Sequence, residues 1–153
     1  MISLKIPTEE DIPIIYEMCL KFIDESPYRE YPRDEHKILS LIASFLSNQK
    51  ERICILGISN GIPIGIIAGS LSQALFSQQQ VASEVMWWVD PEHRGKTRAA
   101  LELLGAFEHW AKLVGASFIQ MQSLTNEYEI PLERFFTAKG YRPKEIAYVK
   151  ELN

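Results

Sequence analysis

The stretch Trp87-Trp88-Val89-Asp90-Pro91-Glu92-His93-Arg94-Gly95-Lys96-Thr97-Arg98-Ala99-Ala100 decides how this chain is read. An apolar run ends at Val89, Pro91 stops it, a short loop with one glycine follows, and a Leu-rich helical pattern begins at once. A strand that passes directly into a helix aims several backbone N–H groups and the positive end of a helix dipole at one spot. Such a spot favours phosphate. Arg94, Lys96 and Arg98 crowd three cations into five residues, which suits a pyrophosphate. The same junction also reads as a basic helix cap that holds no ligand, and the stretch alone leaves both readings open. Gly95-Lys96-Thr97 ends like a P-loop, GxxxxGK[ST], but the first glycine of that motif would stand at Asp90. A carboxylate facing the phosphates argues against a nucleotide triphosphatase.

Working outward, 81–90 is strand-like behind a polar loop at 77–80. The β-branched run 52–59 and the apolar run 62–71 flank Asn60-Gly61, a hairpin turn signal. Residues 3–6 read as a first strand ended by Pro7, and Thr8 is placed to cap a helix whose first turn holds Glu9, Glu10 and Asp11. Ile12, Ile15, Cys19, Phe22 and Ile23 recur at helical spacing, and a second helix starts near Asp34 with Ile38, Leu41, Ile42 and Phe45 on one stripe. Downstream, a long helix covers 97–114 with Gly115 at its end, and 117–123 is strand-like. Residues 131–139 are helical with Gly140 as C-cap, and 141–150 read as a terminal strand. The order β-α-α-β-β-β-α-β-α-β predicts an α/β fold: a mixed sheet with helices on both faces, in a single domain over 1–153.

Composition narrows the function classes. The chain has 153 residues, 46% hydrophobic and 24% charged, which excludes disorder over most of its length. Twenty acidic against 16 basic side chains leave a net charge of −4, so the surplus of cations that nucleic-acid binders need is absent globally. Mild acidity suits a cationic partner such as an amine. Cys19 and Cys54 lie among apolar neighbours with no metal-ligand spacing, and both are expected to be buried and reduced. The opening residues lack a basic-then-apolar leader, and no apolar stretch approaches the ~18–20 residues that span a bilayer. A soluble, cytoplasmic domain is the expectation.

At the junction the sequence resembles the GCN5-related N-acetyltransferase (GNAT) family. That family's signature is an apolar strand, Val-x-Pro, two residues, then Arg-Gly-x-Gly-x-Gly/Ala opening a Leu-rich helix. This chain supplies Val89-Asp90-Pro91, Arg94-Gly95-Lys96-Thr97-Arg98-Ala99, and then Leu101, Leu103 and Leu104. Pro63-Ile64-Gly65-Ile66-Ile67-Ala68 is similar to the family's third strand. Leu132-Glu133-Arg134-Phe135-Phe136-Thr137-Ala138-Lys139-Gly140-Tyr141 is similar to its late aromatic-rich helix and glycine. The resemblance covers nearly the whole chain. It implies acetyl-CoA as acyl donor and no metal. The pyrophosphate would lie on Arg94, Gly95, Lys96, Thr97, Arg98 and Ala99, and the pantetheine arm would pair with the backbone of Trp87, Trp88 and Val89, where the fourth and fifth strands splay apart. Asn126, just past the fifth strand, is a further expected cofactor contact, or else a cap of the last helix.

Two residues depart from the family pattern. Thr97 stands where glycine is usual, either strained there or in ordinary dihedrals that let it cap the helix and offer its hydroxyl to phosphate. Phe136 stands where many members carry a Tyr that protonates the leaving thiolate, and a phenyl ring has no proton to give. Transfer to an amine needs a base, because an ammonium has no free lone pair. The resemblance implies Glu84 as the candidate, early in the fourth strand where family members often place a base; its alternative is a solvated strand-entrance residue. Tyr128 and Tyr141 are reserve proton donors, with a purely structural role as the alternative for each. His93 adjoins the loop as cofactor contact or exposed residue, and His36 and His109 read as surface positions. Of Trp87 and Trp88, which point to opposite faces, at least one belongs to the core.

The expected function is therefore an N-acetyltransferase that moves the acetyl group of acetyl-CoA directly to a primary amine. The acceptor would approach between the first two helices and the last strands, where Asp24, Glu25, Glu30, Asp34 and Glu35 give an acidic bias. The expected partners are an amine-bearing small molecule or protein and a second copy in a homodimer, with neither nucleic acid nor membrane. The alternative is an acetyl-CoA-binding sensor or protein-interaction module with little or no catalysis.

Overall fold

Asn60 and Gly61 both adopt positive φ, 50° and 77°, the geometry of a two-residue hairpin whose twist matches its strands. They join β2 (Arg52–Ser59) to β3 (Ile62–Gln73), and β3 returns through a second hairpin to β4 (Gln80–Val89). With β1 (Ile2–Lys5) and β5 (Phe118–Gln120) these build one sheet in the order β1-β2-β3-β4-β5. The first three pairings are antiparallel, and β5 joins β4 in parallel. The computed structural model describes residues 1–152, which fall into two units, Met1–Gln122 and a second from Ser123 on.

In the first unit, alternation along β2 divides the core. Ile53 and Ile55 face a cluster with Leu103, Phe107 and Trp110 of α3 (Ala99–Leu113). Cys54 and Leu56 face the other, with Ile15 and Met18 of α1 (Ile12–Asp24) and Ile42 and Phe45 of α2 (Glu35–Leu46). Helices thus cover both faces. Trp88 lies in the α1/α2 cluster at 5% exposure, while half-buried Trp87 packs on the α3 cluster, so the pair divides between faces as expected. Cys19 and Cys54 are free thiols, Cys54 buried and Cys19 half-buried.

Helix ends obey their local signals. The Asp34 carboxylate accepts the Lys37 amide at 3.0 Å and starts α2. α3 closes through Gly115, φ 84°, with Ala116 N–H on Ala111 O and Gly115 N–H on Lys112 O, a Schellman motif. The first helix differs from expectation. Glu9–Asp11 form a 3-10 turn behind Thr8, and α1 restarts at Ile12, with Pro13 in its first turn, where no amide is needed.

In the second unit, α4 (Glu129–Ala138) ends on Gly140, φ 90°, in a second Schellman motif. The terminal strand expected over 141–150 is not formed: residues 141–152 carry no regular secondary structure. Ile146, Tyr148 and Val149 are exposed. A strand exists through its hydrogen-bonded ladder, and an apolar pattern alone does not supply the partner. The observed order therefore ends at α4.

Candidate active site

The β4–β5 pairing matches Val81 with Phe118, Ala82 with Ile119 and Ser83 with Gln120, and stops there. Residues 84–89 of β4 run on, paired with β3 alone among the described strands. This opens a notch along the edge of β4 within the first unit, where the resemblance implies a cofactor arm. At the start of the notch the β3–β4 register shifts: Ala68 pairs with Met86 and Gly69 with Glu84, leaving Val85 as the extra, exposed residue. The bulge places Glu84 inside, at 6% exposure.

Glu84 is the protein's one charged residue among those buried in the described chain. Its Oε2 accepts the Gln122 amide at 3.1 Å. Burial penalises the ionised form and pushes the carboxyl up to about 7, against the smaller opposing effect of that amide. The solvated alternative is thereby removed, since the side chain is desolvated. Gly69 opposite it has no room for a side chain. A Cβ there would stand 2.4 Å from a Phe107 ring carbon and 2.7 Å from the Ser83 carbonyl oxygen.

At the far end of β4, Asp90–His93 form a 3-10 turn in which the Asp90 carboxylate accepts the Glu92 amide at 3.0 Å. Gly95 then turns the chain with φ 71°, a value that disfavours any residue with a Cβ. Thr97 is not in the left-handed region. Its Oγ1 accepts the Ala99 amide at 3.3 Å, and its hydroxyl donates to His93 O at 3.2 Å. Thr97 therefore sits without strain one residue ahead of the Arg98 N-cap, its hydroxyl closing a turn onto the first amide of α3 and its proton directed to the backbone rather than outward. The amides of Gly95, Thr97 and Arg98 have no acceptor among the described residues. Lys96 and Arg98 are exposed beside them. Free N–H groups, a helix N-terminus and two exposed cations, Lys96 and an Arg98 that pairs with Glu102 at 3.5 Å, fit the phosphates of acetyl-CoA.

Arg94 departs from the expected cluster of three cations. Its Nε donates to Val89 O at 2.7 Å, and Nη1 and Nη2 donate to the two Glu25 carboxylate oxygens at 3.1 and 2.7 Å. The guanidinium is turned into the protein, and its contribution at the loop comes from the main chain. Glu25 was readable in sequence only as one of several acidic residues after the first helix. Nothing local marks its partner, which lies 69 residues away. Asp24 is likewise engaged, with Arg33, so two of the five acidic residues expected to draw a cation are already neutralised by arginine.

Asn126 belongs to the second unit, where its Oδ1 accepts the Tyr128 amide at 2.9 Å ahead of α4. The bond closes a turn ahead of the helix; Tyr128 holds the N-cap position of α4, with no side-chain cap, so Asn126 does not cap it. Phe136 stacks between neighbours of the same unit, 5.7 Å from Phe135 and 5.4 Å from Tyr141 between ring centres. His93 is half-buried, with its carbonyl used by Lys96 and Thr97, and His36 and His109 are exposed on helices.

The chain is similar to several solved structures. A transcriptional regulator from Bacillus halodurans C-125 superposes with TM-score 0.79 at 15% identity, over 99% of this chain and 100% of that one. AAC(6')-Iy, in complex with the bisubstrate analog CoA-S-monomethyl-acetylneamine, gives TM-score 0.79 at 12% identity over 100% and 99%. The aminoglycoside antibiotic 6'-N-acetyltransferase AAC(6')-IG from Acinetobacter haemolyticus gives 0.74 at 17% identity over 99% of each. Among curated proteins none matches the sequence. The sequence pattern of the acetyltransferase (GNAT) family matches residues 16–142. With the strand-loop-helix junction, the notch beside β4 and this match over most of its length, the chain belongs to the acetyltransferase (GNAT) family and is an acyltransferase.

Proposed function

We propose that this protein transfers the acetyl group of acetyl-CoA directly to a primary amine, with Glu84 as the base. The observation that carries the reading is Glu84 itself: a buried carboxyl titrating near neutrality at the mouth of the β4 notch. A base poised near the working pH exists in both protonation states, so it can accept a proton and release it again. Bound acetyl-CoA supplies an acetyl thioester. The chain's own residues hold it: the amides of Gly95, Thr97 and Arg98 and the start of α3 take the phosphates, Lys96 and Arg98 balance their charge, and the edge of β4 beyond β5 takes the pantetheine amides. The acceptor ammonium loses its proton toward Glu84, directly or through water. The neutral amine then attacks the thioester carbonyl, which β4 amides can polarise, the carbon–sulfur bond breaks, and the proton lost by the new amide nitrogen passes through water to the departing CoA thiolate.

The family match crosses the boundary between the two units, which supports reading the chain as one functional domain. No helix among the described residues is long and apolar enough to cross a membrane, and both cysteines are free; we place the enzyme in the cytoplasm. The acceptor class is an amine-bearing small molecule or protein, and amino sugars belong in the first panel because similar folds act on aminoglycosides. A binding module with little catalysis is the second reading. Phe136 favours it, since it cannot protonate the thiolate, whereas Thr97, being unstrained, does not.

A CoA-release assay over amino sugars, polyamines and peptides decides between them. Glu84→Gln is expected to lower turnover by roughly 10²–10⁴-fold on any accepted amine and to remove the acid limb of the pH profile, the fall in activity as pH drops through about 7. Unchanged turnover with an unchanged profile refutes the base. Saturable acetyl-CoA binding with no release on any amine favours the module.

A further inference from the structure

We propose that Glu25 is a positioning residue for acetyl-CoA, acting through Arg94 to hold the 94–99 loop in its cofactor-ready shape and tying that loop to the connection between α1 and α2. The inference rests on the proposed use of this loop for the cofactor phosphates.

Glu25 is the residue at the C-terminal end of α1. Its carboxylate collects three donors from β4 and the loop: both terminal nitrogens of Arg94, at 3.1 and 2.7 Å, and the Trp88 indole N–H at 2.5 Å. The two-pronged contact fixes the plane of the guanidinium, and Arg94 Nε fixes its third direction on Val89 O at 2.7 Å. The guanidinium also lies over the Trp88 ring, 6.0 Å from its centre. One turn earlier on α1, Lys21 Nζ reaches Asp90 at 3.4 Å and lies 5.9 Å from the same ring. Residues 21 and 25 share a helix face, so α1 holds the turn between β4 and the loop at both ends. With Arg94 drawn inward, the main chain must pass over it, and Gly95 makes that reversal at φ 71°. The amides of Gly95, Thr97 and Arg98 are left without acceptors among the described residues.

The pair is not chiefly a stability device. Both side chains keep solvent access, 25% and 37%, and partly exposed pairs contribute little to folding. Its geometric consequence is larger, because the residue after Glu25 is fully buried Ser26. The Ser26 hydroxyl donates to Ile23 O at 3.0 Å and accepts the Tyr28 amide at 3.2 Å, starting the 3-10 segment Pro27–Glu30. That segment begins the connection from α1 to α2, on the side proposed for the acceptor. A change in the loop is passed to it through one carboxylate.

Acetyl-CoA affinity by calorimetry tests this on Glu25→Gln, Glu25→Ala and Arg94→Lys, with Asp11→Asn as a control that breaks the remote Lys5 pair. The three latch variants are expected to raise Kd about tenfold, toward the lower end of usual coupling strengths, with thermal midpoints like that of Asp11→Asn and an unchanged Kd in that control. In hydrogen exchange, acetyl-CoA should slow amides 26–31 in the unaltered protein and leave them unchanged in Glu25→Gln. If Arg94 instead met the phosphates by charge alone, Glu25→Gln would leave affinity unchanged or tighten it, as would Arg94→Lys leave it unchanged; either result overturns the proposal while leaving the cofactor reading standing. An unaltered protein that fails to bind acetyl-CoA at millimolar concentration overturns both.

Discussion

Replacing Glu84 by Gln removes one ionisable group while leaving the side chain's shape nearly intact. The carboxyl is 6% exposed and pushed up to about 7 from an ordinary 4.5, with burial as the main cause. Between those pH values the folded chain keeps a proton on Glu84 that the unfolded chain has released. The folded state binds more protons, so stability falls as pH rises through this window and is fully retained below it. At about 1.36 kcal/mol per pH unit the gap is worth about 3 kcal/mol, a large share of the ~5–15 kcal/mol by which domains are stable. Gln lacks this slope, and its oxygen can still accept the Gln122 amide now bound at 3.1 Å. Urea unfolding of both proteins from pH 4.5 to 8.5 reads the difference. The two should agree within about 1 kcal/mol at the acid end, and the variant should gain about 3 kcal/mol by pH 8 before levelling. A more stable, less active variant is the signature of a group held ionisable against its surroundings. Parallel stability curves would show that Glu84 titrates normally, and the case for it as base would lose its physical footing.

Two further outcomes follow from the packing and capping of the first unit. Gly69→Ala would press a methyl to 2.4 Å from the Phe107 ring and 2.7 Å from the Ser83 carbonyl, in a strand that cannot yield without moving Glu84. It should cost ~1–3 kcal/mol and lower the melting point by ~2–4 °C per kcal/mol, and an unchanged melting curve contradicts the packing described. Asp34→Ala removes the carboxylate that accepts the Lys37 amide at the start of α2. A loss of ~1 kcal/mol in urea unfolding is expected, largely restored by Asn, and equal losses for both substitutions would refute the capping role.

Much of the fold was legible because its signals are local. The β2 bounds, Arg52–Ser59, follow from a β-branched run and the Asn60-Gly61 turn, and the ends of α3 and α4 from Gly115 and Gly140. The loop proposed for the cofactor was legible for the same reason, since a strand, a glycine and a helix start are adjacent in sequence. Residues 141–150 show the limit. Their apolar pattern resembles a strand, but pairing depends on a partner that the pattern does not contain, and no ladder forms there among the described residues. Arg94 shows another. Three nearby cations read as one cluster, yet one of them faces Glu25 because α1 packs beside the end of β4.

The sequence by itself determined the element order through α4, the glycine turns and the family, because hydrophobic period, turn chemistry and motif spacing are properties of neighbouring residues. Tertiary structure alone decided what the charged groups became. Glu84 could be a solvated strand residue or a base until the bulge opposite Gly69 placed it inside, where loss of water raises its pKa toward neutrality. Arg94 and Glu25 could each have faced solvent until packing brought them together across 69 residues. Ionisation and pairing depend on burial and on partners distant in sequence, and those exist only once the chain has folded.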